Sequence, residues 1–84
     1  MDREQLKRDL KKLLVEECQK EFGPEKIGDD TILMGPAGGL DFDSLDALQI
    51  SMAVQQRYGK RIEGNTKTRN ALTSINTLAD FILS

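Results

Sequence analysis

The apolar positions near the start of the chain are Leu6, Leu10, Leu13, Leu14, Cys18 and Phe22. They recur in steps that place them on one side of a helix. The spacing predicts an amphipathic helix from Asp2 to about Phe22, ended by Gly23-Pro24. Glu4/Arg8, Lys12/Glu16 and Glu16/Lys20 are opposite charges four apart on its wet side. Cys18 lies on the apolar stripe, where packing is expected rather than reactivity.

From Gly23 to Phe42 no helical period holds. Gly28, Gly35, Pro36, Gly38 and Gly39 punctuate this stretch, and Ile27, Ile32, Leu33 and Leu40 offer apolar anchors. A loop of about twenty residues is long for a compact domain and is commonly functional or mobile. A second helix is predicted from Asp43-Ser44 to Tyr58, with Asp43 as N-cap, Asp46 in the first turn and Gly59 at the stop. Its apolar residues form two stripes. Leu45, Leu48 and Met52 share one face, while Ala47, Ile50, Val54 and Tyr58 lie nearly opposite. A surface helix needs only one apolar face, so the shorter stripe, starting beside the N-terminus, is expected to be exposed for docking.

Beyond Gly59 and Ile62, the polar, basic run from Glu63 to Asn70 has room for only a short helix. Ser74 then caps a last predicted helix with the stripe Ile75, Leu78, Ala79 and Ile82, flanked by Phe81. No segment alternates as a strand would. The expected fold is all-α, a single domain over residues 1–84 with three main helices and a short one between the last two.

Composition narrows the function. The chain has 84 residues, 38% of them hydrophobic and 31% charged, as expected of one small soluble domain. It has no His, so the commonest general base is missing, and its one Cys cannot form an internal disulfide or a cysteine-built metal site. Cysteine usage and the lack of a signal-peptide core or membrane-length apolar run lead to the expectation of a cytoplasmic protein. A pI near 5.0 disfavours nucleic acid as a partner. The formal charge of −2 is unevenly spread. Residues 1–26 balance, whereas 27–56 carry Asp29, Asp30, Asp41, Asp43 and Asp46 with no base, and 57–84 are net basic. The acidic middle is expected to attract basic partners more than to stabilise the fold.

Several familiar chemistries fail on spacing. Gly35-Pro36-Ala37-Gly38-Gly39 lacks the Gly-Lys-Ser/Thr of a phosphate loop. An EF-hand loop started at Asp41 would need Gly at the sixth position and Glu at the twelfth, where this chain has Asp46 and Met52. The basic residues from Arg57 to Arg69 have only Tyr58 as a stacking aromatic and read as a solvated face. No nucleophile, base and oxyanion hole assemble, so no enzyme and no metal site is expected. Ser44 remains. Asp-Ser at a helix start is ordinary capping chemistry, but a phosphodiester on this hydroxyl would meet unpaired N–H groups and the positive end of the helix dipole.

The residues around Ser44 resemble the acyl carrier protein family. Leu40-Asp41-Phe42-Asp43-Ser44-Leu45-Asp46-Ala47-Leu48 is similar to its phosphopantetheine attachment motif, in which Asp-Ser-Leu opens the second helix. Ile27-Gly28-Asp29-Asp30-Thr31 resembles the start of its long first loop. Gln56-Arg57-Tyr58-Gly59, Ile62 and Leu78-Ala79-Asp80-Phe81-Ile82 resemble later family landmarks. The resemblance implies a four-helix bundle with a long loop between its first two helices. It also implies 4'-phosphopantetheine on Ser44, joined from coenzyme A by an Mg²⁺-dependent phosphopantetheinyl transferase to which Asp43 helps present the serine. The thiol of that arm would carry acyl groups as thioesters, supplying the nucleophile this chain lacks.

Further implied features are a docking face of Asp41, Leu45, Asp46, Leu48 and Met52, and an acyl-chain cavity past Ile50, Val54, Ile62, Leu72 and Ile75. Expected partners are a ketosynthase, an acyltransferase or acyl-ACP synthetase-type enzymes, served by a monomer. One departure stands out. Where housekeeping fatty-acid carriers are rich in Glu, this helix has Gln49, Gln55, Gln56 and Arg57, which suggests a specialised stand-alone carrier whose docking depends less on salt. Two alternatives stay open: an aminoacyl or peptidyl carrier with the same arm, and an unmodified helical interaction module using the Leu45/Leu48/Met52 stripe.

Overall fold

The computed structural model describes residues 2–34, 39–40, 42–62 and 70–84. Within them the chain forms three α-helices: α1 (Arg3–Glu17), α2 (Ser44–Tyr58) and α3 (Ile75–Leu83). No strand occurs among the described residues, only an isolated parallel bridge between Met34 and Phe42. The domain is all-α. Most of the turn expected at Gly35–Gly39, the docking role expected of Asp41 and most of the short helix expected between Glu63 and Asn70 lie outside the described residues.

Helix α1 starts where Asp2 accepts a hydrogen bond from the Glu4 amide. Leu6, Leu10, Leu13 and Leu14 are completely buried, and α1 packs against both α2 and α3. It ends five residues earlier than the apolar spacing predicts. The Gln19 amide donates to the Glu16 carbonyl and the Lys20 amide to that of Val15, with Gln19 left-handed at φ 52°. This is a Schellman stop, with Gln in the position usually held by Gly. Cys18 and Phe22 still pack on the core, but from a turn. Lys20 therefore leaves the helix surface, and it pairs with Asp46 instead of with Glu16 one turn back.

The long segment after α1 is anchored in several places. Pro24–Lys26 forms a 3-10 turn, a feature the sequence reading missed. Ile27, Leu33, Leu40 and Phe42 are buried, whereas Ile32, expected as an anchor, is exposed. In extended chain successive side chains point to opposite sides, so burying Leu33 turns Ile32 outward. The Leu33 amide donates to the Thr73 carbonyl at 2.9 Å and the Phe42 amide to the Leu33 carbonyl at 3.2 Å. These two bonds tie the entrance of α2 to the entrance of α3.

Helix α3 runs from a Ser74–Thr77 capping box and buries Ile75, Leu78, Ala79 and Ile82, as its stripe predicts. A second 3-10 turn, Asn70–Leu72, precedes it. At its start the Asn76 amide donates to the Asp29 carbonyl at 3.0 Å. The Asp29 carboxylate takes Lys7 at 3.1 Å and Lys11 at 2.8 Å, both from α1. Those lysines hold the Asp29 carboxyl below the usual range, Lys11 most strongly. Asp30 accepts from the Asn76 side chain. Asp29 is thus neutralised by α1 lysines, which corrects, for this acid, the expectation that the charges of the middle segment mainly serve partners. The balanced charge of residues 1–26 concealed such pairing, because it counts Lys7, Lys11 and Lys20 against the acids of their own segment.

Candidate functional site

The site is the N-terminus of α2. Asp43 is extended and its carboxylate accepts from the Asp46 amide at 2.9 Å, while the Asp46 carboxylate accepts from the Asp43 amide at 3.1 Å. This reciprocal pair is a capping box built from two aspartates. The first intrahelical bond runs from the Ala47 amide to the Asp43 carbonyl. The amides of Ser44 and Leu45 precede it and find no acceptor among the described residues, as expected for a helix's first turn.

Capping therefore belongs to Asp43. Ser44 is the first helical residue, exposed, and its hydroxyl bonds to no other described residue. Unpaired amides beside a reachable hydroxyl suit an added anionic group, favoured by up to about 1 kcal/mol from the dipole in an exposed setting.

The two stripes of α2 separate cleanly. Ile50 and Val54 are fully buried, joined by Ala53, which belonged to neither predicted stripe, and Ala47 and Tyr58 pack partly buried beside them. On the other side Leu45 is 73% exposed, Leu48 58% and Met52 53%. These three lie on consecutive turns running away from Ser44. Gln49, Gln55, Gln56 and Arg57 are also exposed. Gly59 ends the helix at φ 70°, a left-handed conformation that glycine adopts without strain.

Asp46 differs from the sequence expectation of a free docking acid. Its side chain is only 16% exposed, and the oxygen that accepts from the Asp43 amide lies 3.0 Å from Lys20 Nζ. Burial alone would raise this carboxyl, but the Asp43 amide and the Lys20 ammonium override it and hold it low. Lys20 Nζ also lies 4.8 Å from the centre of the Phe42 ring, which meets Phe22 edge to face at 6.3 Å. Cys18 Sγ points at the Asp46 carbonyl, 3.7 Å away. Burial, then the nearby Asp46, push the Cys18 thiol up to about 12, so it is protonated at neutral pH and a poor nucleophile. Sequence reasoning missed this clasp because it continued α1 through Lys20. The one available signal was a lysine just past the last core position of a helix facing an aspartate-rich segment.

The five residues expected to line an acyl cavity do converge on the interior. Ile50, Val54, Leu72 and Ile75 belong to one buried cluster, and Ile62 packs against it. A separate polar groove of about 290 Å³ is lined by Asp9, Lys12, Glu16, Arg57 and Tyr58. It lies at the C-terminal end of α2, roughly 20 Å along the helix from Ser44, and none of the five borders it. Among the described residues no three His, Cys, Asp or Glu are grouped to hold a metal ion, and no helix is long and apolar enough to cross a membrane. Compared with family models, curated proteins and solved structures, the chain matches none.

Proposed function

We propose that this protein is an acyl carrier: Ser44 receives a 4'-phosphopantetheine arm whose thiol holds acyl groups as thioesters. The reading rests on one juxtaposition, an exposed Ser44 hydroxyl at the first turn of α2 beside the exposed Leu45/Leu48/Met52 stripe. In the transfer, the Ser44 oxygen attacks the pantetheine-bearing phosphorus of coenzyme A. The phosphoanhydride bond to adenosine 3',5'-bisphosphate breaks and the serine proton passes to the transferase. The unpaired amides at the helix start would face the new phosphodiester, and Asp43 holds the turn in shape.

The chain acts as a substrate of other enzymes, not as a catalyst. The order of elements, with a long first helix, a long anchored segment, an Asp-Ser-Leu helix and a short closing helix, supports an acyl-carrier-like bundle. Leu45, Leu48 and Met52 form the docking face for a transferase, a ketosynthase, an acyltransferase or a synthetase, with Asp43 beside them. Asp46 is a frame residue in this reading. Its internal pairing and the amide-rich α2 surface favour a specialised pathway and weakly salt-dependent docking. The protein would work as a cytoplasmic monomer, with acyl chains reaching inward toward Ile50, Val54, Ile62, Leu72 and Ile75.

Incubation with coenzyme A, Mg²⁺ and a broad-specificity phosphopantetheinyl transferase, followed by intact mass, tests the proposal. Wild type should gain one phosphopantetheinyl group and Ser44→Ala none. The exposed stripe also suits an unmodified interaction module, and a wild type that gains no mass would favour it. A loaded aminoacyl or peptidyl group on the arm would instead reassign the cargo.

A further inference from the structure

The turn that ends α1 is built onto the turn that begins α2. The Schellman stop directs Lys20 away from α1, and its ammonium reaches the Asp46 carboxylate and the Phe42 ring together. Cys18 meets the Asp46 carbonyl from the same turn, and Phe22 meets Phe42. Phe42 and Asp46 bracket Ser44 in sequence, and Asp46 holds the Asp43 amide. Three side chains from one turn thus converge on the frame of one exposed hydroxyl.

We infer that Lys20 is a positioning residue for Ser44: by clamping Asp46 it keeps the capping box closed and holds the serine in the orientation that the transferase attacks. This rests on the carrier reading above. Without the ammonium, a partly buried carboxylate is left uncompensated and turns toward water. The Asp43 amide then loses its acceptor and the first turn of α2 frays. The exposed stripe is untouched, so binding of the transferase survives while the geometry of transfer suffers. The side chain acts through Asp46 and not by touching coenzyme A.

Kinetics of arm transfer separate this role from general stabilisation. Lys20→Met should lower kcat/KM for transfer about tenfold through kcat, leaving KM within about twofold. Asp46→Asn, whose neutral amide gives Lys20 no anion to clamp and so no longer holds an oxygen on the Asp43 amide, should do the same, and Lys20→Arg should largely restore the rate. Lys7→Met breaks a comparable ion cluster nearer the start of α1 and should leave transfer unchanged whatever its effect on Tm. Amide exchange should quicken at Asp46 and Ala47 in Lys20→Met but not in Lys7→Met. Unchanged kcat in both Lys20→Met and Asp46→Asn, an equal loss in Lys7→Met, or a loss carried by KM would overturn the inference while the carrier reading stands. If wild type accepts no arm, both fall.

Discussion

The two faces of α2 carry similar residues and meet opposite surroundings. Ile50, Ala53 and Val54 are sealed against α1 and the rest of the core, while Leu45, Leu48 and Met52 face outward. Burying an aliphatic side chain contributes about 1.5–3 kcal/mol, so the inner face secures the fold. The outer face gives up that gain, and an apolar stripe left exposed beside a reachable hydroxyl is understandable as a surface completed by another molecule. On the proposed carrier reading, one helix joins stability to recognition, and its N-terminus is where the two meet.

The largest effect should come from the inner face. Ile50→Ala should destabilise the domain by about 2–5 kcal/mol, because it leaves a cavity in a closed core, and urea unfolding would measure it. Leu48→Asp on the outer face should change stability by under about 0.5 kcal/mol, yet sharply weaken association with the transferase. If instead Leu48→Asp unfolds the domain, the two faces are not distinct.

Acid should act on the frame that holds the helix entrance. The Asp29 and Asp46 carboxyls are both held below their usual values, so their pairing stabilises the fold above the unfolded carboxylate range near about 4. That contribution is lost as pH falls through the lower folded values. Tm should be flat from neutral pH down to about 5 and then drop, and Asp46→Asn should drop less steeply. Lys20 is raised, chiefly by Asp46, and its contribution persists until strongly alkaline pH. The smallest effect concerns Cys18. Its thiol should react with a disulfide reagent far more slowly in the native protein than in urea at pH 8, since the folded thiol titrates near 12.

Periodicity made the helical framework legible. The limits and cap of α2, the Ser74 cap of α3 and its four buried residues follow from side-chain spacing and hydroxyl or carboxylate capping, which are local effects. The exposure of the Leu45 stripe was legible for the same reason. What sequence could not reveal was tertiary. The early stop of α1 depends on Gln19 adopting a left-handed conformation, for which its side chain gives no signal. The roles of Asp29 and Asp46 depend on lysines far away in sequence, and Ile32 and Phe42 were sorted between solvent and core only by the path of the loop.

The central claim concerns the hydroxyl of Ser44. Peptide-level mass spectrometry after incubation with transferase, Mg²⁺ and coenzyme A should find the arm on the peptide containing Ser44 and on no other. Recovery of that peptide unmodified from natively folded protein, with a known carrier in the same tube fully converted, would contradict it.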